Sequence, residues 1–154
     1  MAYRKELLSA LEREISELSA IVEGTSFKAW HRKIGSDLHT PFYALVHLFV
    51  LEAREFALYF RRIYDEDTPL LVAFDDEAWM KDHPRPKESP RIIMQDFAHL
   101  RKQELKWLRE LPIASWSRSA RHPWWGLHTL QWWVELQLDY SHQHLSEISR
   151  LLGT

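Results

Sequence analysis

The sequence predicts an all-α fold, a four-helix bundle with one long crossover between its second and third helices. Three observations carry this. Four stretches repeat apolar residues at spacings of three and four, which places them on one face of a helix. Only four glycines occur in 154 residues. The prolines gather in two connections and at two helix starts, leaving the stretches between them free to stay helical.

The first helix is expected from about Tyr3 to Val22, where Leu7, Leu11, Ile15, Leu18 and Val22 form one apolar stripe. The second opens at "HTPFYALVHLFVLEAREFALYFRRIYDE", with Thr40 as N-cap and Pro41 in the first helical position, and should run to about Tyr64 or Asp65. The segment "DTPLLVAFDDEAWMKDHPRPKESP" contains Pro69, Pro84, Pro86 and Pro90 and cannot be one helix. It reads as a long connection with a short helical turn near Glu77. The third helix follows Ser89 and Pro90, another cap-plus-proline start, and carries Ile93, Phe97, Leu100, Leu108 and Leu111 up to Pro112. The stretch "PIASWSRSARHPWWG" reads as irregular. A fourth helix is expected from Leu127 to about Leu152, closed by Gly153. No internal repeat or low-complexity tract is apparent.

At 154 residues and 18.5 kDa the chain suits a single domain, residues 1–154, built around one core. Twenty Lys and Arg nearly balance 22 Asp and Glu, with no concentrated basic stripe, so nucleic acid is not an expected partner. Without cysteine, thiolate catalysis and sulfur-ligated zinc are excluded, and any metal must rest on nitrogen and oxygen. The opening residues have neither a signal-type apolar run nor a membrane span, and a cytoplasmic location is expected. Eight tryptophans, with adjacent pairs at Trp124/Trp125 and Trp132/Trp133, offer more aromatic surface than one stripe per helix can use. A homodimer burying Trp132 or the Trp124/Trp125 pair is the expectation.

In "LDYSHQHLSEI", His142 and His144 are two apart, roughly 200° around a helix, so they cannot chelate one ion. The stripe Leu130, Trp133, Gln137, Tyr140, His144, Ile148 and Leu151 turns His144 and Tyr140 inward and His142 towards solvent. On the second helix, His47 sits in an apolar stretch, where a histidine is commonly a hydrogen-bonded core residue. Depth argues for more. His47 lies roughly 10 Å into its helix and His144 roughly 12 Å from the end of its own, so the two meet if those helices run antiparallel. The crossover permits this: its roughly 23 residues span about 75 Å when extended, against about 39 Å for the second helix. The third helix then runs parallel to the second, and the fourth runs back.

These residues resemble the DinB/YfiT-like superfamily of bacterial four-helix bundles over nearly the whole chain. The resemblance rests on "LHTPFYALVHLFVLEAREF", "YDEDTPLLVAFDDEAW" and, most specifically, "RHPWWGLHTLQWWVELQLDYSHQHLSEI". It implies an up-down-down-up bundle, often dimeric. It also implies a divalent metal, zinc or nickel, held by one histidine on the second helix and an H-x-x-x-H pair on the fourth. Carried over by motif, the outer positions are His47 and His144. The remaining position falls on Tyr140, and His142 is out of phase to replace it. Three imidazoles and a water suit hydrolysis or thiol transfer, whereas a phenol with a pKa near 10 is a weaker donor unless the metal stabilises its phenolate.

Other candidates have plainer readings. Glu52, five residues from His47, is expected in a capping or surface role. His122 and His128 flank the tryptophan pair, and His122, before a proline, is expected to be exposed. Asp75, Asp76 and Glu77 read as a solvated acidic loop. No phosphate loop, nucleophile elbow or paired-carboxylate motif is present. Two functions remain open: a metal-dependent hydrolase or thiol transferase with its site between the second and fourth helices and a degenerate metal triad, acting on an unidentified small molecule, or a non-catalytic dimeric small-molecule-binding or stress-response protein.

Overall fold

A computed structural model describes residues 2–35, 39–85 and 88–153; Pro86, one of the crossover prolines, lies outside them. The elements in order are α1 (Ala2–Glu23), α2 (Phe27–Trp30) and α3 (Pro41–Leu51), which continues through a π-helical turn (Glu52–Phe56) into α4 (Ala57–Asp65). Then come α5 (Asp76–Asp82), α6 (Pro90–Glu110), a 3-10 turn (Ile113–Ser117), strands β1 (Ser119–His122) and β2 (Gly126–Thr129), and α7 (Leu130–Leu152). The molecule is mostly helical. No helix among the described residues is long and apolar enough to cross a membrane.

The helix starts are set by side chains that take up otherwise unpaired backbone donors. Thr40 Oγ1 accepts from the Tyr43 N–H at 3.0 Å, Ser89 Oγ from Arg91 at 3.3 Å and Thr129 Oγ1 from Trp132 at 3.2 Å. Gly153 closes α7 in the left-handed region at φ 75°.

The connection before α7 is not irregular, and this corrects the all-α expectation. Ser119–His122 and Gly126–Thr129 form an antiparallel hairpin, so α7 begins at Leu130 rather than Leu127. Its three-residue turn, Pro123 to Trp125, leads into Gly126 at φ 80°, a conformation that glycine adopts without steric cost. The crossover adds a third edge: Leu71 N–H donates to Arg121 O at 2.7 Å, and Arg121 N–H to Pro69 O at 2.9 Å. Four-residue strands are too short for hydrophobic period to reveal.

One apolar cluster fills the interior, with Trp30, Trp133, Phe56, Phe60 and Phe97 among its largest fully buried side chains. Contacts between the long helices are made by specific pairs. From α3 through the π turn to α4, His47, Phe56 and Tyr59 meet His144, Tyr140 and Trp133 of α7. Glu52, Arg61 and Tyr64 meet Arg101, Glu104 and Trp107 of α6.

The π-helical turn makes the first set of contacts possible. His47 and Phe56 are nine residues apart, which puts them on opposite sides of an ideal α-helix, at about 900° of rotation. A π turn inserts one residue and sets the phase back by about 100°. His47 above the turn and Phe56 below it therefore both reach α7.

Within the turn lies Glu52, which the structure moves from the surface to the centre of the bundle. It is 2% exposed, and Arg101, fully buried, binds it in a fork: Nη2 to Oε1 at 2.6 Å and Nε to Oε2 at 3.0 Å. Arg101 Nη1 also donates to Glu14 Oε1 at 2.9 Å and Leu11 O at 3.2 Å. Gln137 Nε2 donates to Glu52 at 2.7 Å, and Ser141 Oγ donates to Glu14. A fully buried carboxylate is tolerated only when so paired. Arg101→Met should accordingly lower stability by about 3–5 kcal/mol in urea unfolding, because it strands two buried carboxylates. Adding Glu14→Gln and Glu52→Gln to it should recover most of that loss.

Candidate functional site

His47 and His144 line one cavity of about 400 Å³ between the N-terminal half of α3 and the C-terminal half of α7. Their rings stand edge to face with centroids 4.9 Å apart. One wall carries His39 stacked on Tyr43 at 4.2 Å. Glu147 and Arg150, an ion pair at 2.7 Å, lie across the mouth.

Backbone geometry fixes the tautomer of His144. Its Nδ1 lies 2.8 Å from Tyr140 O, and a carbonyl only accepts, so Nδ1 carries the proton and Nε2 keeps its lone pair. Burial, the largest influence, holds the His144 pKa below the ordinary imidazole value; the Tyr140 carbonyl opposes this, and the neighbouring His47 adds to it. His144 is thus a neutral imidazole with a donor nitrogen available.

Tyr140 takes a different place from the two histidines. Its carbonyl holds His144, but its ring packs edge-on against Phe56 at 5.8 Å, and its side chain is not among those lining the cavity. Burial, then the charges of Glu55 and Asp76, push its phenol pKa above the usual value. A phenol that resists ionisation is a poor metal donor.

The residue that meets His47 is Asp76. Its Oδ2 accepts from His47 Nε2 at 2.6 Å, and its Oδ1 accepts from the Glu77 N–H at 3.1 Å. The acidic run is therefore not a solvated loop. Asp75 caps α5 by accepting from the Ala78 N–H at 3.0 Å, which brings Asp76 into the first turn and over α3. Only the N-cap pattern, an Asp before a short helical stretch, could have signalled this.

Glu55, in the π-helical turn, is a second residue that sequence reasoning passed over. It is 7% exposed, and its pKa is pushed up to about 7, first by burial and then by Asp76. Tyr43 is raised by burial and by Glu77 and Asp76. Asp76 and Glu77 thus set a negative field at Tyr43 from outside the residues that line the cavity.

The remaining histidines are placed otherwise. His142 is exposed on α7, as its phase requires. His122 is buried rather than exposed: Nδ1 accepts from the backbone N–H groups of Trp124 at 3.1 Å and Trp125 at 3.3 Å, and Nε2 lies 3.3 Å from the Tyr59 hydroxyl. Burial holds its pKa below the ordinary value. It organises the hairpin turn. His128 stacks on Trp132 at 3.5 Å.

As they stand, no three His, Cys, Asp or Glu side chains among the described residues form a group able to hold a metal ion. The three-imidazole arrangement is not present. The donor types are nevertheless ones that divalent ions take, two imidazoles and a carboxylate in contact with one of them.

A helical bundle with a histidine pair bridging two of its helices defines a class, and sequence comparison gives its family. The chain belongs to the DinB superfamily, whose model matches residues 5–148. Its fold is similar to that of YfiT from Bacillus subtilis, described as a probable metal-dependent hydrolase with an unusual four-helix bundle topology. The TM-score is 0.82 at 22% identity, over 97% of this chain and 87% of that one, and at such identity the likeness establishes fold alone. No curated protein matches the chain in sequence.

The Glu55 carboxyl yields a pH test. A carboxyl whose folded pKa lies above its unfolded value stabilises the fold below the unfolded pKa, and this is lost as pH rises through about 7. In metal-free protein, Glu55→Gln should gain about 2.5 kcal/mol over the wild type between pH 5 and pH 8, read as the difference between their denaturation curves.

Proposed function

We propose that this protein is a metal-dependent hydrolase or thiol transferase, acting on a small molecule bound in the cavity between the second and fourth long helices. The observation that carries this is the His47–His144 pair, two imidazoles from different helices at one level with a free donor nitrogen on His144. In this reading a divalent ion, zinc or nickel, rests on His47 and His144, and Tyr140 occupies the third position of the family pattern. Such an ion, when bound, lowers the pKa of a water or thiol and polarises a carbonyl. The protein's own contribution is to hold His144 neutral by burial, to fix its tautomer through the Tyr140 carbonyl and to place acidic groups near the imidazoles. The up-down-down-up arrangement with a long crossover belongs to the same reading, supported by the order in which α3, α4 and α6 meet their partners.

A second reading, a non-catalytic small-molecule-binding or stress-response protein, is favoured by the Tyr140 phenol, which burial and nearby carboxylates keep protonated. Metal content of untagged protein, with isothermal titration of zinc and nickel, separates the two. Bound metal in a one-to-one ratio, lost in His47→Ala and His144→Ala, supports the metalloprotein. Tyr140→His should bind either ion roughly tenfold tighter or more, by restoring the i, i+4 imidazole pair. His142→Ala should change nothing.

In the same reading the protein is cytoplasmic and homodimeric, with no nucleic-acid or membrane partner. Trp132 is an unsuitable contact because it is sandwiched within the chain among His128, Trp125 and Trp133. Trp124, 70% exposed at the hairpin tip, with Trp125 beside it, is the better one. Sedimentation at micromolar concentration should show a dimer that Trp124→Glu dissociates and His142→Glu leaves intact.

A further inference from the structure

We propose that a second cavity, near the opposite end of α7 from His144, binds a small amphipathic carboxylate, a medium-chain fatty acid. Arg4 on its wall meets Gln131 in the first turn of α7, whereas the histidine cavity takes its α7 residues from 143 to 151. The two cavities share no lining residue, so the proposal stands apart from the metalloprotein reading.

The cavity holds about 460 Å³ where the start of α1, the end of α6 and the 3-10 turn after it come together. That volume lies within the range of small-molecule sites. Leu8, Leu108 and Trp116, all buried, give it an apolar floor, and Ile113 adds an exposed apolar side chain. Arg4, Lys5 and Arg109 supply its charge, and the described residues that line it include no Asp or Glu.

Arg4 is held in place with most of its donors unused. Its Nε donates to Gln131 Oε1 at 2.9 Å, and its guanidinium carbon lies 5.2 Å from the centre of the Trp116 ring. Nη1 is buried without an acceptor, and Nη2, which is not shielded in this way, has no partner among the described residues. Donors so placed are ordinarily paired in a folded protein. A guanidinium fixed by one nitrogen and the face of an indole is preorganised for an anion arriving at Nη2.

The charges also run against their helix. The first turn of α1 carries Arg4 and Lys5 and no acidic residue, although the unpaired N–H groups there favour an acid. Arg109 is bound to Glu12 at 2.8 Å, while Lys5 has no ion-pair partner among the described residues. Two cations set where the helix itself is positive disfavour the empty site and favour a bound carboxylate.

The two halves of the cavity together select the ligand. An inorganic anion leaves the apolar floor in water, and a plain hydrocarbon leaves the guanidinium unpaired. A carboxylate on an alkyl chain satisfies both, with its head on Arg4 and Lys5 and its chain over Leu8, Leu108 and Trp116.

Octanoate, kept below its micelle concentration, is titrated into the untagged full chain by isothermal calorimetry, and amide NMR locates it. It should bind one to one with a dissociation constant below about 1 mM. The shifted amides should be those of residues 4–9 and 108–116. Acetate, which lacks the chain, and octylamine, which lacks the anion, should each bind roughly tenfold more weakly or worse. Arg4→Gln and Lys5→Glu should each weaken octanoate roughly tenfold, a loss typical of one charge-assisted hydrogen bond. Lys5 is exposed, so its variant keeps the fold and decides the matter should Arg4→Gln unfold. Lys102→Glu, on the exposed face of α6, should bind as the wild type does. The proposal is overturned if octanoate does not bind, if acetate or octylamine matches it, or if Lys5→Glu or a folded Arg4→Gln binds it unchanged. Shifts confined to residues 39–47 and 143–151 overturn it as well, by placing the ligand in the histidine cavity.

Discussion

The bundle is organised around one guanidinium. Arg101 of α6 reaches Glu52 of the π-helical turn and both Glu14 and Leu11 of α1, while Gln137 and Ser141 of α7 bind the same two carboxylates. All four long helices are therefore tied at one level by charge-assisted hydrogen bonds in a medium where stray charge is costly. Apolar packing around this level tolerates sliding, since one leucine contact resembles the next. A forked arginine does not. The network sets the height of α3 against α7, and that height decides whether His47 and His144 face each other.

Polar groups divide accordingly. At the centre, one guanidinium meets two carboxyl groups within the fold. Away from that network, Asp76 and Glu77 act on the phenol of Tyr43, Glu55 and Asp76 on that of Tyr140, and Asp76 is bound to the imidazole of His47. The bundle thus keeps acidic groups near two histidines, with Asp76 in direct contact with His47. Tyr140 contributes through its main chain, by fixing the proton on His144.

The sequence made the long helices legible because their stripes are long and their starts carry Thr40–Pro41, Ser89–Pro90 and a closing Gly153, each a local signal with a local cause. His47 and His144 could be paired from depth and phase alone. The hairpin at 119–129 was not legible, being held by backbone pairing over four-residue strands and by contacts with Pro69 and Leu71 far off in sequence. Glu52 and Asp76 were misread for a common reason. Their partners, Arg101 and His47, lie 49 and 29 residues away, and no periodicity encodes a contact at that range. His122 before a proline reads as a surface residue, yet its ring is enclosed by the turn that it stabilises.

The π-helical turn bears on how this chain can be aligned with its relatives. It holds one residue more than an α-helix of the same length would need. Against a homologue whose helix runs uninterrupted, an ungapped alignment through residues 47 to 60 matches either the histidine end or the aromatic end correctly, never both. A one-residue gap belongs between Glu52 and Phe56. Without it, the counterpart of His47 is sought one position away, about 100° around the helix, and a functional histidine in the relative is counted as missing.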